Sequence, residues 1–255
     1  MSFPVVLHGP EGQQFATFTG TTTSNPRWPL GTQLIVQDGR KFRFAQAGAT
    51  ALVAGDLQQA AANVPNHVGV APIGFTDTTI NNLNSRLIDW TPGGATAAVL
   101  NYYAGGYVIV DTGPGNGYMY LVDSHLAIPA STATVEFNLA AGHALQVAFT
   151  SATRLSAISN PYKSVIISPT TITREPVGVA IKPLAISAYG WLQTRGAAAV
   201  AGQGTLVIGD PCMRSTTTAG AIAPVVAAAA GMPLGWIMRV AATTLHQSVF
   251  LSIDG

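Results

Sequence analysis

The run GYVIVDTGPGNGYMYLVD, from Gly106 to Asp123, places a glycine-rich GPGNG loop between two hydrophobic stretches and an aspartate at each flank. Glycine-rich loops after an apolar strand can cradle phosphate. That chemistry needs a helix directly after the glycines and usually a Lys-Ser/Thr pair to meet phosphate and metal. Here Tyr118 to Asp123 is aromatic and β-branched, and no lysine lies in the loop, so the pattern predicts a hairpin turn. Asp111 and Asp123 would serve as a glycosidase-like pair if they met across that hairpin, but no cleft rich in aromatic and acidic residues is legible around them. His125 follows Asp123 and Ser124. On a strand the aspartate and histidine share one side and the serine takes the other, so the three form no local relay. His8, His67, His143 and His246 stand alone, with no HExxH, CxxC or paired-histidine spacing. Cys212 in GDPCMRST has Arg214 nearby, a cation that would lower a thiol pKa, but no histidine close in sequence. GxSxG is absent. The residues predict no catalytic site, no cofactor and no metal.

Composition narrows the function classes. Of 255 residues only 9% are Asp, Glu, Lys or Arg, against roughly 25% in ordinary soluble domains, and 48% are hydrophobic. A formal net charge of +1 supplies no basic patch to neutralise phosphates, which argues against nucleic acid as a partner. So few charges keep a free monomer in solution poorly. A chain largely covered by copies of itself or by partners escapes that difficulty. The single cysteine permits no intramolecular disulfide and fits a reducing compartment or an indifferent one. MSFPVVLHGPEGQQ has neither the basic start nor the apolar run of a signal peptide. Ala219 to Met238 is uncharged and long enough to span a bilayer, but Pro224 and Pro233 interrupt it and no aromatic belt accompanies it. Buried strands joined by Gly-Pro turns are predicted there, with no membrane contact.

The elements that would position any site are mainly strands. Asp38-Gly39 between TQLIVQ and RKFRFAQ is a strong hairpin signal, and Phe42 and Phe44 alternate with Lys41 and Arg43. Ala47 to Val64 is Ala- and Gln-rich, but Gly55 weakens its centre, so one short helix limited to Gly55 to Asn63 is predicted. Beyond it, short β-rich runs recur with turn residues every eight to twelve positions or so, as in an all-β sandwich or barrel. The expected fold class is therefore mainly β, a sandwich- or barrel-like body of many short antiparallel strands with one helix and an extended N-terminal arm. The expected divisions are an arm over 1–30, a β-rich domain over 31–130 and a second over 131–255, which can also form one continuous body. A boundary near Ser131 to Thr134 rests on Pro129 and a cluster of small residues.

Interaction surface is what remains. Phe15, Phe18 and Trp28 lie in the Thr-, Gly- and Pro-rich start, and Tyr102, Tyr103, Tyr107, Tyr118 and Tyr120 crowd one stretch. Aromatic residues are enriched in interface cores; the other half of the expectation is that several simply face the inside of the sandwich. The blocks QDGRKFRFAQAGATALVAGDL, GYVIVDTGPGNGYMYLVDSHLA, NPYKSVIISPTTITREPVGVA and AYGWLQTRGAAAVAGQGTLVIGD resemble head-associated structural proteins of tailed bacteriophages, over most of the chain from Gln37 onward. That resemblance implies a cement protein on the capsid surface of the virion. Its partners would be the major capsid protein and copies of itself, often as a trimer, and it implies no site residues. Residues Phe15 to Trp28 are then expected to form an arm that reaches a neighbour and can be deleted without loss of the fold. The alternatives are a tail- or fibre-associated protein that binds a host receptor or glycan, and a hydrolase of surface glycans using Asp111 and Asp123.

Overall fold

The computed structural model describes residues 6–18, 27–70, 80–92, 94, 96–131, 133–225, 232–242 and 245–254. They form two compact units, one of residues 62–160 and a larger one built from residues 2–61 together with 161–255. The larger unit opens with β1 (Val6–Gly9), β2 (Gln33–Val36), β3 (Lys41–Gln46) and β4 (Leu57–Gln59). The smaller unit holds β5 (Leu87–Trp90), β6 (Tyr107–Thr112), β7 (Met119–His125), β8 (Val135–Leu139) and β9 (Arg154–Ile158). The chain then returns with β10 (Ile166–Ile167), β11 (Pro176–Ala180), β12 (Tyr189–Ala201), β13 (Pro211–Arg214), β14 (Ile222–Pro224), β15 (Gly235–Arg239) and β16 (His246–Ser252). The class is mainly β, the strands are mostly antiparallel, and no closed barrel occurs among the described residues. The division differs from the expected one. Residues 130/131 lie between β7 and β8, which pair directly (Val122↔Leu139, His125↔Phe137) inside one sheet.

In the larger unit eleven strands share one sheet, along the path β1-β2-β3-β12-β16-β15-β13-β14, with β4, β10 and β11 joined at its side. The β2–β3 turn is set locally. Gly39 takes a φ of 84° that its lack of a Cβ allows, and the Asp38 carboxylate accepts from the backbone N–H and Nε of Arg40. Leu34, Val36, Phe42 and Phe44 point inward by strand alternation. The thirteen-residue β12 organises the rest: β3 pairs along Tyr189 to Arg195 and β16 along Arg195 to Ala201. Arg195 pairs with both Lys41 and Ser252, and the register shift before it marks a bulge.

The predicted helix is a strand. Gly55 adopts a φ of 83°, and Leu57, Gln58 and Gln59 then pair with β11 on one edge and β10 on the other. All three side chains are fully buried. Helix propensity is worth only tenths of a kcal/mol per residue for Ala, Leu and Gln, too little to offset two-sided pairing and complete burial. No α-helix occurs among the described residues, which carry two short 3₁₀ turns at Gln13–Phe15 and Pro65–His67.

The described part of the N-terminal segment is extended but lies on its own body. β1 runs parallel to β2, and Phe18 exchanges backbone hydrogen bonds with Tyr189. Trp28 meets Phe18, Phe44 and Trp191 with ring centroids 5.3–5.5 Å apart. Residues 19–26 lie outside the described residues. A segment whose aromatic rings complete the core cannot be removed without cost, which corrects the expectation of a dispensable arm.

The segment after β16 is tied down by charge. Arg43 grips the Asp254 carboxylate with two hydrogen bonds of 2.7 and 3.0 Å, Gln33 Nε2 donates to it at 3.2 Å, and Thr194 Oγ1 at 3.5 Å. Burial by itself raises the pKa of Asp254, but the Arg43 hydrogen bonds and charge win and leave it below its ordinary 3.8. Its pairing therefore stabilises the fold above that ordinary value and is lost as pH falls below it. Asp254→Asn should cost about 1–3 kcal/mol at neutral pH, the range for charge-assisted bonds after discounting for partial exposure. In urea titrations the gap between variant and parent should close as pH is lowered through 4 to 3; a gap constant with pH would refute the assignment.

The smaller unit is a fully antiparallel sheet in the order β5-β8-β7-β6-β9. One face carries the core of Ile88, Trp90, Val108, Val110, Val122, Phe137, Leu139 and Leu155. The GPGNG run is a turn between β6 and β7, closed by Gly117 N–H to the Val110 carbonyl and Val110 N–H to the Tyr118 carbonyl, both 2.9 Å. Gly113 sits at a φ of 82°, where a Cβ would lie 2.7 Å from the Thr153 backbone. At the β5 edge Asn81 acts as a substitute strand: its side chain bonds both the N–H and the carbonyl of Asp89. That satisfies part of an edge otherwise open to another chain.

Candidate functional site

The tyrosine-rich stretch separates into core and surface. Tyr103 is buried, and its hydroxyl lies 2.6 Å from His67 Nδ1. His67 Nε2 faces the Thr96 carbonyl at 3.1 Å. A carbonyl only accepts, so Nε2 carries the proton and Nδ1 accepts from the tyrosine. The same logic fixes His125: Nδ1–H donates to the Leu126 carbonyl and Nε2 accepts the Tyr103 N–H at 2.9 Å. Burial holds the His67 pKa below its ordinary 6.5 and pushes the Tyr103 phenol up. Two neutral histidines, each with both ring nitrogens occupied, brace the core beside Trp90 and Phe137. They are structural. Tyr120 is also buried, and its hydroxyl accepts the Gln146 N–H at 3.2 Å. Tyr102 and Tyr107 are half-buried, while Tyr118 is exposed. At the other end, Phe15 is exposed and Phe18 and Trp28 are half-buried in the cluster described above.

The chemistry-bearing residues do not converge. Tyr107 pairs with Leu121 and Ile109 with Met119, so Asp123 lies past one end of that register and Asp111 past the other. Six strand positions separate them, roughly 20 Å at about 3.3 Å per residue, far beyond the spacing of a glycosidase pair. Asp111 instead accepts a 2.5 Å bond from Ser156 Oγ, which in turn accepts the Gly69 N–H. Arg214 does not activate Cys212: its guanidinium donates to the Thr170 carbonyl, and burial pushes the thiol up to about 11. At pH 8 an alkylating reagent should modify the native chain about 100-fold more slowly than the urea-unfolded chain, because both access and thiolate are lacking. Equal rates would show that the strand opens readily. Among the described residues no three His, Cys, Asp or Glu come together as a metal site would require. No helix among them is long and apolar enough to cross a membrane. Within Ala219 to Met238, Ile222–Pro224 and Gly235–Arg239 are strands, and 226–231 lie outside the described residues.

What the larger unit presents instead is an uncharged row across its sheet. Ala197, Phe250, Trp236 and Pro211 are successive cross-strand partners on β12, β16, β15 and β13. Trp236 is 49% exposed, Phe250 42% and Met238, one step along β15, 49%. Their strand neighbours Ile237, Val249 and Leu251 are buried, so alternation turns one apolar set inward and leaves a second outward. Ala197 and Ala199 extend the exposed row, and Val240 and Leu245 prolong it into the β15–β16 turn. Gly235 lets β15 run this close to β16, since a Cβ there would lie 2.1 Å from the Phe250 carbonyl oxygen. A carboxylate or guanidinium would solvate such a face; the guanidinium of Arg239, which pairs with Ser248 in the adjacent row, is occupied by Ser248 Oγ and the His246 carbonyl.

Sequence reasoning missed this row. GWIMR and SVFLS are apolar at nearly every position, and such runs read as strands buried on both faces. Comparison with protein-family models, curated proteins and solved structures finds no match for this chain.

Proposed function

We propose that this protein is a non-catalytic structural component of a tailed-phage virion that decorates and cements the capsid shell. It does so through self-association, as a trimer, and through contacts with the major capsid protein. The observation that carries the proposal is the exposed Ala197–Phe250–Trp236 row across β12, β16 and β15. Aromatic residues on a preformed surface bury much area on docking while losing few rotamers. The low charge of the chain fits a surface that is covered in the assembled state. The sequence blocks that resemble head-associated proteins supply the choice of the shell as the mating surface. Many copies on a lattice let individually modest contacts add through avidity.

Sedimentation of the purified chain, alone and mixed with capsid shells, tests this directly. Saturable co-sedimentation at a fixed ratio to shell subunits is expected, with a free species larger than a monomer. A folded chain that stays in the supernatant would overturn the shell assignment. It would favour the second reading, a tail- or fibre-associated protein that binds a host receptor or glycan, to which exposed Tyr118 lends a specific observation.

A further inference from the structure

At the β6–β7 turn the smaller unit carries an open cleft of about 320 Å³, lined by Gly117, Tyr118, Met119, Gly142, His143 and Gln146 among others. That volume is at the small end for ligand sites, suited to one or two sugar rings rather than a polymer segment or a folded domain. No Asp, Glu, Lys or Arg lines it. A charged ligand would find no counter-charge there, and desolvating it would go uncompensated.

The lining is nevertheless equipped for hydroxyl groups. His143 Nδ1 accepts the Leu121 N–H at 3.2 Å, so the ring proton sits on Nε2, which has no protein partner. Gln146 is held at two points, by its N–H to Tyr120 and by its Nε2 to the Ala144 carbonyl at 2.9 Å. Its Oε1 accepts no protein donor. One donor and one acceptor without protein partners therefore line the same cleft as the Tyr118 ring. Tyr118 is 45% exposed and braced edge-to-face by Tyr120, with ring centroids 6.3 Å apart. Gly117 and Gly142, at φ of 83° and 85°, have nothing within 4 Å of an added Cβ, so no side chain closes the rim.

We infer that this cleft binds a neutral saccharide unit, stacked through its C–H face on Tyr118 and hydrogen-bonded through its hydroxyls to His143 and Gln146. A pyranose has that dual character, apolar on its ring faces and rich in donors and acceptors at its edge. A purely apolar ligand would leave both polar groups unpaired, at a cost in free energy. The inference gives the glycan-binding reading a location. It does not depend on shell contact, because the cleft and the Trp236 row belong to different units.

The test is a titration of the full ¹⁵N-labelled chain with maltotriose, cellotriose and N,N′,N″-triacetylchitotriose, with sialyllactose as the charged control. At least one neutral trisaccharide should shift the amides of Gly117, Met119, Ala144 and Gln146 saturably at about 10 mM or below. Tyr118→Ala should weaken that binding about tenfold or more, while Tyr118→Phe keeps it within about twofold, since stacking needs the ring and not the hydroxyl. Gln146→Ala, which leaves the Gln146 N–H bond to Tyr120 in place, should also weaken it. No saturable shift with any of the three sugars, shifts that survive Tyr118→Ala, or tighter binding of sialyllactose would each overturn the inference. Co-sedimentation of Tyr118→Ala with shells should equal that of the parent, so failure here and failure of the shell assignment are read separately.

Discussion

Trp236→Glu combined with Phe250→Lys should abolish self-association and shell binding while leaving the monomer folded. The two positions are direct cross-strand partners, and both are nearly half exposed. In the free protein the new side chains form an opposite-charge pair on the sheet surface, a combination that strands tolerate or favour slightly. In the assembled state the same two charges would have to leave water at the centre of an apolar contact. Hot-spot truncation alone costs about 2 kcal/mol or more, and the buried charges add to it. An affinity loss of about 100-fold or greater is therefore expected. Sedimentation velocity should show the variant as a monomer, and thermal unfolding should move by only a few degrees. A variant that still assembles and still binds shells would place the contact elsewhere on the chain. Phe15, exposed on the N-terminal segment, is the next position to change in that event.

Phe44→Ala should destabilise the larger unit by about 3–5 kcal/mol, a large share of the ordinary 5–15 kcal/mol of a domain. Phe44 is fully buried and sits among four other aromatic residues. Trp191 lies at 5.1 Å, Trp28 at 5.3 Å, Tyr189 stacked at 5.9 Å and Phe18 at 6.1 Å. Removing its ring leaves a cavity that four rigid neighbours cannot fill by small adjustments. Phe44→Leu, which keeps most of the volume, should cost clearly less. Deleting residues 15–28 attacks the same cluster from the other side by removing Phe18 and Trp28, so it should lower stability as well as any binding. Chemical denaturation followed by tryptophan fluorescence resolves this, because Trp28 and Trp191 belong to the cluster and Trp90 to the smaller unit. A shift at Trp28, Trp191 and Trp236, all of the larger unit, with Trp90 unmoved is expected. An equal shift at Trp90, seen in single-tryptophan variants, would show that the two units unfold as one.

The sequence by itself determined the local events. Asp38-Gly39 and GPGNG turn the chain because glycine reaches positive φ without steric penalty, and the alternation at Phe42 and Phe44 chose the buried face. The mainly-β class follows from the recurrence of such turns. The hairpin at Gly113 to Gly117 was also legible, since a strand follows the glycines. Partners remote in sequence were not legible. Whether Leu57 to Gln59 is helix or strand depended on β10 and β11, more than a hundred residues later. Whether Phe18 and Trp28 reach outward or inward depended on Trp191 and Tyr189. The smaller unit interrupts the larger one at borders set by which strands pair, and Pro65 and Asn160-Pro161 beside them look like any other turn in so Pro-rich a chain. Trp236 and Phe250 look like core in the chain and lie at the surface in the fold. An apolar residue on a strand records only that its side chain can be buried; the layer packed on that side of the sheet decides whether it is, and here β15 and β16 have such a layer on one side alone.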